Sequence, residues 1–347
     1  MALPRLEHDP REGLDQQTST PVEWIPALGC WCVFDAAAIA AVLKSTEFVA
    51  ADFAEIHRML EQKVGIDCSA LIRIFEHSPN ANEGNRHAAI RRDLARALTT
   101  DLISTKRRTA RVLHELVLQV YQAATRIDLV RDIIEPACDA LFESMLGVER
   151  PANSKSDVSP SQIFDLYLGL NRRQQINSKA RAMLESFSAA KEKLKTSPDY
   201  AVALSMVGYD SIVGSLACSL LQVLRQSEGE RLCDLTFPRL LPATGVPYIE
   251  RFATKDCALA SARIREGERV RLYLEAGCPG NRGAEDRPFF GKGRHSCIGE
   301  ELSTWLWQTL TGELSQLPLV CTIESATRRK PDWVFTYYSS IVARLDA

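Results

Sequence analysis

The sequence predicts a mainly α-helical protein with a small β region late in the chain. Residues 86–123 are charged and periodic over a length that is typical of two surface helices. Residues 200–224 form the most apolar stretch, which is long enough for a helix buried through the centre of a protein. Beyond Arg239, proline, glycine and short β-prone segments replace this helical pattern.

Further helices follow from their end signals. Asp35 precedes an alanine-rich run and is a natural N-cap for a helix there. Residues 128–147 read as a helix that is closed by a glycine. Residues 150–160 form a loop rich in proline, serine and asparagine, and residues 161–196 are helical again. The last helix is expected to begin at about Ile298.

The predicted β region contains a hairpin. Two β-prone segments, 259–264 and 269–274, flank a turn at 265–268. Residues 1–30 are expected to be a lead-in segment, because they show little of the patterning that a packed core requires. Residues 31–347 are then expected to form a single domain.

Composition excludes several classes of protein. The 42 basic and 44 acidic residues give a formal net charge of −2, which excludes a bulk basic nucleic-acid binder. The ten cysteines are scattered, and Cys30 and Cys32 are the only tight pair, so a zinc ribbon is not expected. Free thiols and the absence of a secretory signal predict a reducing, cytoplasmic location. Although residues 200–224 could span a bilayer by length, Asp210 at their centre favours a buried helix and no membrane.

The segment 289–302 reads FFGKGRHSCIGEEL and has Phe290, Gly293, Cys297 and Gly299 at a fixed spacing. This pattern resembles the haem-binding loop of the cytochrome P450 family, in particular its soluble bacterial members. The resemblance implies haem b as cofactor, with the Cys297 thiolate as axial ligand of the iron. It also implies that Phe290 shields the sulfur, and that the two glycines permit backbone torsions and close approach that a Cβ would block.

The same resemblance suggests how the haem is anchored. His87 and Arg91 are four residues apart, so they would share one face of a helix. In the family, a His and an Arg at this spacing reach a haem propionate. Arg251 and His295 resemble two further propionate contacts. Cationic and hydrogen-bonding side chains suit the two carboxylates of haem.

Residues 207–212 read VGYDSI and resemble the family's oxygen-activation segment. The resemblance implies that Asp210 and Ser211 deliver protons on the distal side of the haem, since an acid and a hydroxyl make a relay with water. Serine stands where the family more often has threonine, and both residues carry the hydroxyl.

Three departures predict an abbreviated version of the P450-like fold. The family's Glu-x-x-Arg helix is matched by residues 236–239, which read TFPR, and the proline would distort a helix. The meander between residues 276 and 289 is short. Only 62 residues separate Gly147 from Asp210, which predicts a short lid and an open distal pocket.

The leading functional hypothesis is a haem-thiolate monooxygenase of specialised metabolism that inserts oxygen into an organic substrate, either a small molecule or one tethered to a carrier. Its partners would be dioxygen and a ferredoxin-type electron donor. One alternative is a haem-thiolate peroxygenase, isomerase or dehydratase, which the lost Glu-x-x-Arg pattern favours. The other is a non-catalytic haem-binding relative. Asp210 and Ser211 favour the monooxygenase.

Overall fold

The computed structural model describes residues 20–123, 125–151, 160–164, 168–275, 288–328 and 338–346. These residues form two compact units. The first unit lies within residues 1–52 and 246–297, and the second within residues 53–245 and 298–347. Most of the described residues are helical, and the helices belong mainly to the second unit. The predicted fold class, mainly α with a small β region, is therefore confirmed.

The α-helices of the described chain are α1 Ala36–Lys44, α2 Phe53–Val64, α3 Ser69–Glu76, α4 Gly84–Thr99, α5 Leu102–Ala123, α6 Glu135–Leu146, α7 Leu170–Ala189, α8 Pro198–Ala203, α9 Tyr209–Gln226 and α10 Glu300–Leu314. Its strands are β1 Val22–Ile25, β2 Cys30–Val33, β3 Phe48–Val49, β4 Arg126–Asp128, β5 Tyr248–Ala253, β6 Cys257–Leu259, β7 Ala262–Ile264, β8 Arg269–Tyr273, β9 Val320–Arg328 and β10 Tyr338–Asp346.

A five-stranded sheet organises the first unit, in the order β1-β2-β8-β5-β3. Strands β2 and β8 pair in parallel, and the other neighbours pair antiparallel. Helix α1 begins where the Asp35 carboxylate accepts a hydrogen bond from the Ala38 amide at 2.9 Å, so the predicted N-cap is confirmed. Ile39 and Leu43 of this helix share an apolar core with Val270 and Leu272 of β8.

The predicted hairpin around residues 265–268 is wrong. Strand β7 pairs with β6, and β8 pairs with β2 and β5 instead. All five residues of β8 are buried, which suits a central strand with a neighbour on each side. The β6–β7 hairpin closes through a short turn in which Ala260 has a φ of 52°.

In the second unit, α4 and α5 confirm the two surface helices predicted for residues 86–123. Gly147 ends α6 with a φ of +84°, as its C-cap position predicts. The helix predicted over residues 161–196 is confirmed only in part. Within the described residues of that range, the α-helix is α7, which covers Leu170–Ala189. Strands β4, β10 and β9 form a three-stranded antiparallel sheet in this unit.

The apolar stretch forms one continuous helix, Pro198–Gln226, in which a π-helical turn at Leu204–Gly208 joins α8 to α9. Among the described helices it is the one long and apolar enough to cross a membrane, but 72% of its most apolar window is buried inside the protein. Burial of that extent is typical of a core helix in a protein that folds around it. We refer to Pro198–Gln226 as the central helix.

The matching place for the family's Glu-x-x-Arg helix is extended in this chain. Residues 235–238 have no regular secondary structure, and Thr236 and Arg239 are exposed, so they form no buried ion-pair network. The Trp307 indole donates to the Pro238 carbonyl at 2.8 Å. The segment then runs along the central helix, where the Ser219 hydroxyl donates to the carbonyl of residue 243 at 2.9 Å.

Gly245 ends this segment at a point where it touches the central helix directly. Its amide donates to the Ser215 hydroxyl at 2.9 Å. A Cβ at this position would lie 2.6 Å from the Gly214 carbonyl carbon and 2.6 Å from the Ser215 nitrogen. Because both atoms belong to the backbone, neither can move aside cheaply. Glycine is therefore required by close approach rather than by torsion.

We predict that Gly245→Ala lowers the free energy of unfolding by about 2–3 kcal/mol, since overpacking against backbone forces the segment off the helix. Gly312→Ala is the matched control, because nothing lies within 4 Å of a Cβ there and alanine favours the helix. Urea unfolding of both variants measures the difference. A Gly245→Ala protein as stable as the wild type would contradict the close approach.

Candidate cofactor site

The cysteine loop of the first unit is a compact, hydrogen-bonded turn. The Cys297 amide donates to the Phe290 carbonyl at 2.7 Å, and the Gly291 amide donates to the Pro288 carbonyl at 2.8 Å. The Cys297 thiol is exposed, whereas most other described cysteines are buried. Phe290 is half-buried. An exposed thiol at the end of a closed turn is well placed to become a ligand.

Gly293 holds the loop against the helix that precedes it in the same unit. Its φ is +72°, and a Cβ there would lie 2.8 Å from the Leu43 carbonyl oxygen. Both facts require glycine, so this part of the prediction is confirmed. For Gly299 the torsional reason is wrong, because its φ of −90° is open to any residue; it is the N-cap residue of α10. The close approach expected at Gly299 and its predicted place in the cofactor site both stay predictions.

Two of the predicted propionate contacts also lie in the first unit. Arg251 is on β5, is 9% exposed, and donates from Nη1 to the Glu250 carbonyl at 2.7 Å. His295 is half-buried in the short 3₁₀ turn Gly293–His295, two residues before Cys297. The adjacent Arg294 donates to the Phe48 carbonyl at 2.9 Å and fixes the turn to β3. Their contact with a cofactor stays a prediction.

In the second unit, His87 and Arg91 lie one turn apart on α4, as their spacing predicts. His87 is 7% exposed and Arg91 is half-buried. A buried histidine beside a half-buried arginine is unusual on a helix whose other basic residues point to solvent. The pair therefore fits a role in binding an anionic group better than a role as a solvated helix face.

Between Leu204 and Leu221, the central helix is buried except along one stripe. Residues three to four apart remain partly accessible while those between them are buried, which is the periodicity of one helix face. Over residues 204–221, the partly accessible positions are Leu204, Val207, Gly208, Ser211, Ile212 and Ser215. We call this face the open stripe. Three of its residues, Gly208, Ser211 and Ser215, are small, which suits a flat cofactor or a bound substrate.

The structure separates the two predicted relay residues by exposure. Ser211 lies on the open stripe, and its hydroxyl donates to the Gly208 carbonyl at 2.8 Å. Asp210 is 5% exposed and lies beside the stripe. A buried acid adjacent to an accessible hydroxyl has the order that proton transfer toward the stripe requires.

A cluster that sequence reasoning missed surrounds Tyr209, the residue before Asp210. Its ring packs edge-on against Phe142 with centroids 5.3 Å apart, and the Arg150 guanidinium lies 3.3 Å from its centroid. Burial raises the pKa of the Tyr209 phenol, and nearby anionic groups including Asp139 raise it further, so the phenol stays neutral. No sequence signal pointed to Arg150, which stands at the edge of a stretch of sequence rich in proline and serine.

These features fit a haem-thiolate cofactor. Within the described ranges, no group of three or more His, Cys, Asp or Glu side chains could hold a bare metal ion. The exposed thiol of the cysteine loop suits a metal that brings further ligands of its own, as iron does in a porphyrin. The glycine-dependent cysteine loop, the buried cationic positions and the open stripe each match one need of that group.

We predict that Cys297→Ser abolishes the red-shifted band of the ferrous carbon monoxide adduct, because the hydroxyl is a far weaker donor than a thiolate. Cys233→Ser is the matched control, since Cys233 is the other exposed cysteine among those described. It should keep the band at full intensity. Retention of the band in Cys297→Ser would assign the ligand to another residue.

Comparison with known proteins supports the same assignment. No family model matches the sequence. A curated relative, the nocardicin C N-oxygenase of Nocardia uniformis subsp. tsuyamanensis, is 24% identical over 279 residues, which is 67% of this chain and 70% of that protein. Among solved structures, P450BioI in complex with an acyl carrier protein ligated to hexadec-9Z-enoic acid matches with a TM-score of 0.76 and 17% identity, over 94% of this chain and 95% of that one.

Two further structures agree. CalO2 matches with a TM-score of 0.75 and 16% identity, over 93% of this chain and 92% of that one. P450epoK bound to epothilone D matches with a TM-score of 0.71 and 16% identity, over 95% of this chain and 94% of that one. The similarity extends over nearly the whole length of each chain. The chain has the cytochrome P450 fold, as the resemblance in its sequence predicts.

Proposed function

We propose that this protein is a haem-thiolate monooxygenase that inserts oxygen into an organic substrate of specialised metabolism. The observation that carries the proposal is the exposed Cys297 thiol at the end of a loop that only glycine at position 293 can hold in place. The P450 fold and the sequence similarity to a nocardicin N-oxygenase support the reaction class. We further propose that the protein is soluble and cytoplasmic, because the one described helix that is both long and apolar enough to cross a membrane is mostly buried.

The proposed cofactor is haem b. Cys297 would ligate the iron as a thiolate, with Phe290 beside the sulfur. The propionates would pair with the cationic or hydrogen-bonding side chains of His87, Arg91, Arg251 and His295, each of which is buried or half-buried. When bound, the haem supplies the activation of dioxygen, and its thiolate ligand favours O–O cleavage.

The chain itself supplies positioning and protons. Ser211 places a hydroxyl on the open stripe and is held there by the Gly208 carbonyl. Asp210, immediately before it, is buried and can replace the proton that Ser211 passes on. Gly208 and Ser211 also leave room at the stripe, because neither has a bulky side chain.

For the substrate, we propose only a broad chemical class. The relatives include a nocardicin oxygenase, a P450 captured with an acyl carrier protein and a P450 bound to epothilone. A small organic molecule or a carrier-tethered one is therefore the expected substrate. The short lid stays a prediction, because part of the span between Gly147 and Asp210 lies outside the described residues; its described α-helix before the central helix is the 20-residue α7.

The proposed docking surface for an electron donor is a basic patch on α4 and α5. Residues 84–123 contain eight arginines and lysines but three aspartates and glutamates, in a chain whose overall charge is slightly negative. Arg92 and Arg107 are exposed, and Arg96 and Arg111 are each 72% exposed at the side chain. Such a patch complements an acidic ferredoxin and would steer its approach.

The function is tested by supplying the haem-loaded protein with NADPH, ferredoxin and ferredoxin reductase, or with hydrogen peroxide alone. We predict donor-dependent consumption of dioxygen by the wild type. Ser211→Ala should release about tenfold more of its electrons as hydrogen peroxide, because the proton-passing hydroxyl is missing. Ser104→Ala, on the exposed face of α5, is the control and should behave like the wild type.

Two results would contradict the monooxygenase. Product formation with peroxide but none with the donor would support a peroxygenase, which the exposed Thr236 and Arg239 of a non-helical segment also favour. Retained haem with neither activity would support a non-catalytic haem-binding relative.

We predict that Arg92→Glu together with Arg107→Glu slows reduction of the haem by ferredoxin about tenfold at low salt, because attraction becomes repulsion. The deficit should shrink as ionic strength rises, since salt screens exposed charges. Arg263→Glu, an exposed arginine on β7, is the control. Equal reduction rates for the double variant and the control at low salt would remove α4 and α5 from the docking surface.

A further inference from the structure

The end of α6 contacts the segment that leads into the central helix. Gly147 has a φ of +84°, and a Cβ there would lie 2.4 Å from the Lys193 carbonyl oxygen. The Lys195 amide donates to the Leu146 carbonyl at 2.9 Å, and its ammonium donates to the Ser144 carbonyl at 3.0 Å. These contacts close the base of the span between Gly147 and Lys195.

Arg150 stands three residues beyond this base and reaches the central helix. Its side chain is 4% exposed, and its guanidinium lies 3.3 Å from the centroid of the Tyr209 ring. One of its terminal nitrogens, Nη1, donates to the Asp139 carboxylate at 3.3 Å. The guanidinium also lies 5.8 Å from the centroid of the Phe142 ring. The Tyr209 ring is therefore in contact with Arg150 and Phe142, while its hydroxyl donates to the Glu135 carbonyl at 3.4 Å.

The turn that Tyr209 completes needs such support. Residues 204–208 are π-helical, so the regular α-helical hydrogen bonding of the central helix is interrupted just before Tyr209. The next two residues are Asp210 and Ser211. Because the regular hydrogen-bond ladder is interrupted there, contacts from outside the helix contribute more to holding the turn that follows.

We propose that Arg150 is a positioning residue for the proton relay: by stacking on Tyr209, it fixes the turn of the central helix that carries Asp210 and Ser211. This inference rests on the proposed monooxygenase function. Arg150 acts through Tyr209 and is not itself a catalytic residue. A planar guanidinium suits this task, because it can lie flat on the ring and donate to Asp139 in its own plane at the same time.

Burial strengthens the contact. A cation that is shielded from water interacts more strongly with an aromatic face than one at the surface. The Nε atom of Arg150 is buried with no hydrogen-bond partner among the described residues. Holding the side chain on the ring therefore carries the desolvation penalty of an unsatisfied donor. That cost would not be expected of an arginine that merely fills space.

The test compares Arg150→Met, which keeps most of the side-chain volume, with Arg150→Lys, which keeps the charge. Arg181→Met is the control, because Arg181 is an exposed arginine of α7 that pairs with Asp67. Amide hydrogen exchange is measured on the haem-loaded proteins for peptides covering residues 203–213 and 216–226. In Arg150→Met, the first peptide should exchange about tenfold faster than in the wild type, and the second should exchange at the wild-type rate. Arg150→Lys should recover part of the protection.

A second readout separates positioning from general stability. The donor-driven oxidation of NADPH, followed without added substrate in H₂O and in D₂O, gives a solvent isotope effect that reports proton delivery. This effect should change in Arg150→Met in the same direction as in Asp210→Asn, and stay at the wild-type value in Arg181→Met.

The outcomes distinguish failure of the Arg150 inference from failure of the proposed monooxygenase function. A wild type that oxidises no NADPH with the donor refutes the proposed function, and the exchange measurement still reports whether Arg150 fixes the turn. Unchanged exchange at residues 203–213 in Arg150→Met refutes the inference even if turnover falls. Faster exchange together with a wild-type isotope effect in an active enzyme also refutes it, because Arg150 would then stabilise the turn without positioning the relay.

Discussion

Burial of the central helix, Pro198–Gln226, is the constraint on which the second unit depends. The helix is packed on nearly every side, so each residue that stays partly accessible marks a place where the protein leaves room. Between Leu204 and Leu221 those residues fall on one stripe, which carries Ser211 and Gly208. The packing that buries the rest of the helix thus defines the stripe. Under the proposed function, the stripe selects which residues would meet a cofactor or substrate.

Beside the central helix, this chain lacks a helix that the resemblance to the P450 family implies. Where the family has its Glu-x-x-Arg helix, an extended segment lies along the central helix and is held by Ser215 and Ser219. The first unit contains its own buried ion network, in which Glu250 accepts from Arg271 at 2.9 Å and lies 3.5 Å from Arg269. Loss of one buried network has therefore not left the fold without others.

Sequence reasoning succeeded where a local rule acts alone. The Asp35 cap, the Gly147 cap and the glycine at 293 each follow from one residue's geometry, and all three are confirmed. It failed where pairing is decided at long range, as in the partners of the strand Arg269–Tyr273. Arg150 could not be found either, since a loop arginine gives no pattern and its importance comes from the ring on which it stacks.

The central claim is that one sulfur atom of this chain, that of Cys297, ligates haem iron. X-ray absorption at the iron edge of the purified haem-loaded protein tests it directly, because a sulfur neighbour scatters differently from nitrogen or oxygen. The account predicts one sulfur in the first coordination shell of the wild type and none in Cys297→Ser. A wild-type shell of nitrogen and oxygen alone, or a sulfur that persists in Cys297→Ser, would contradict it.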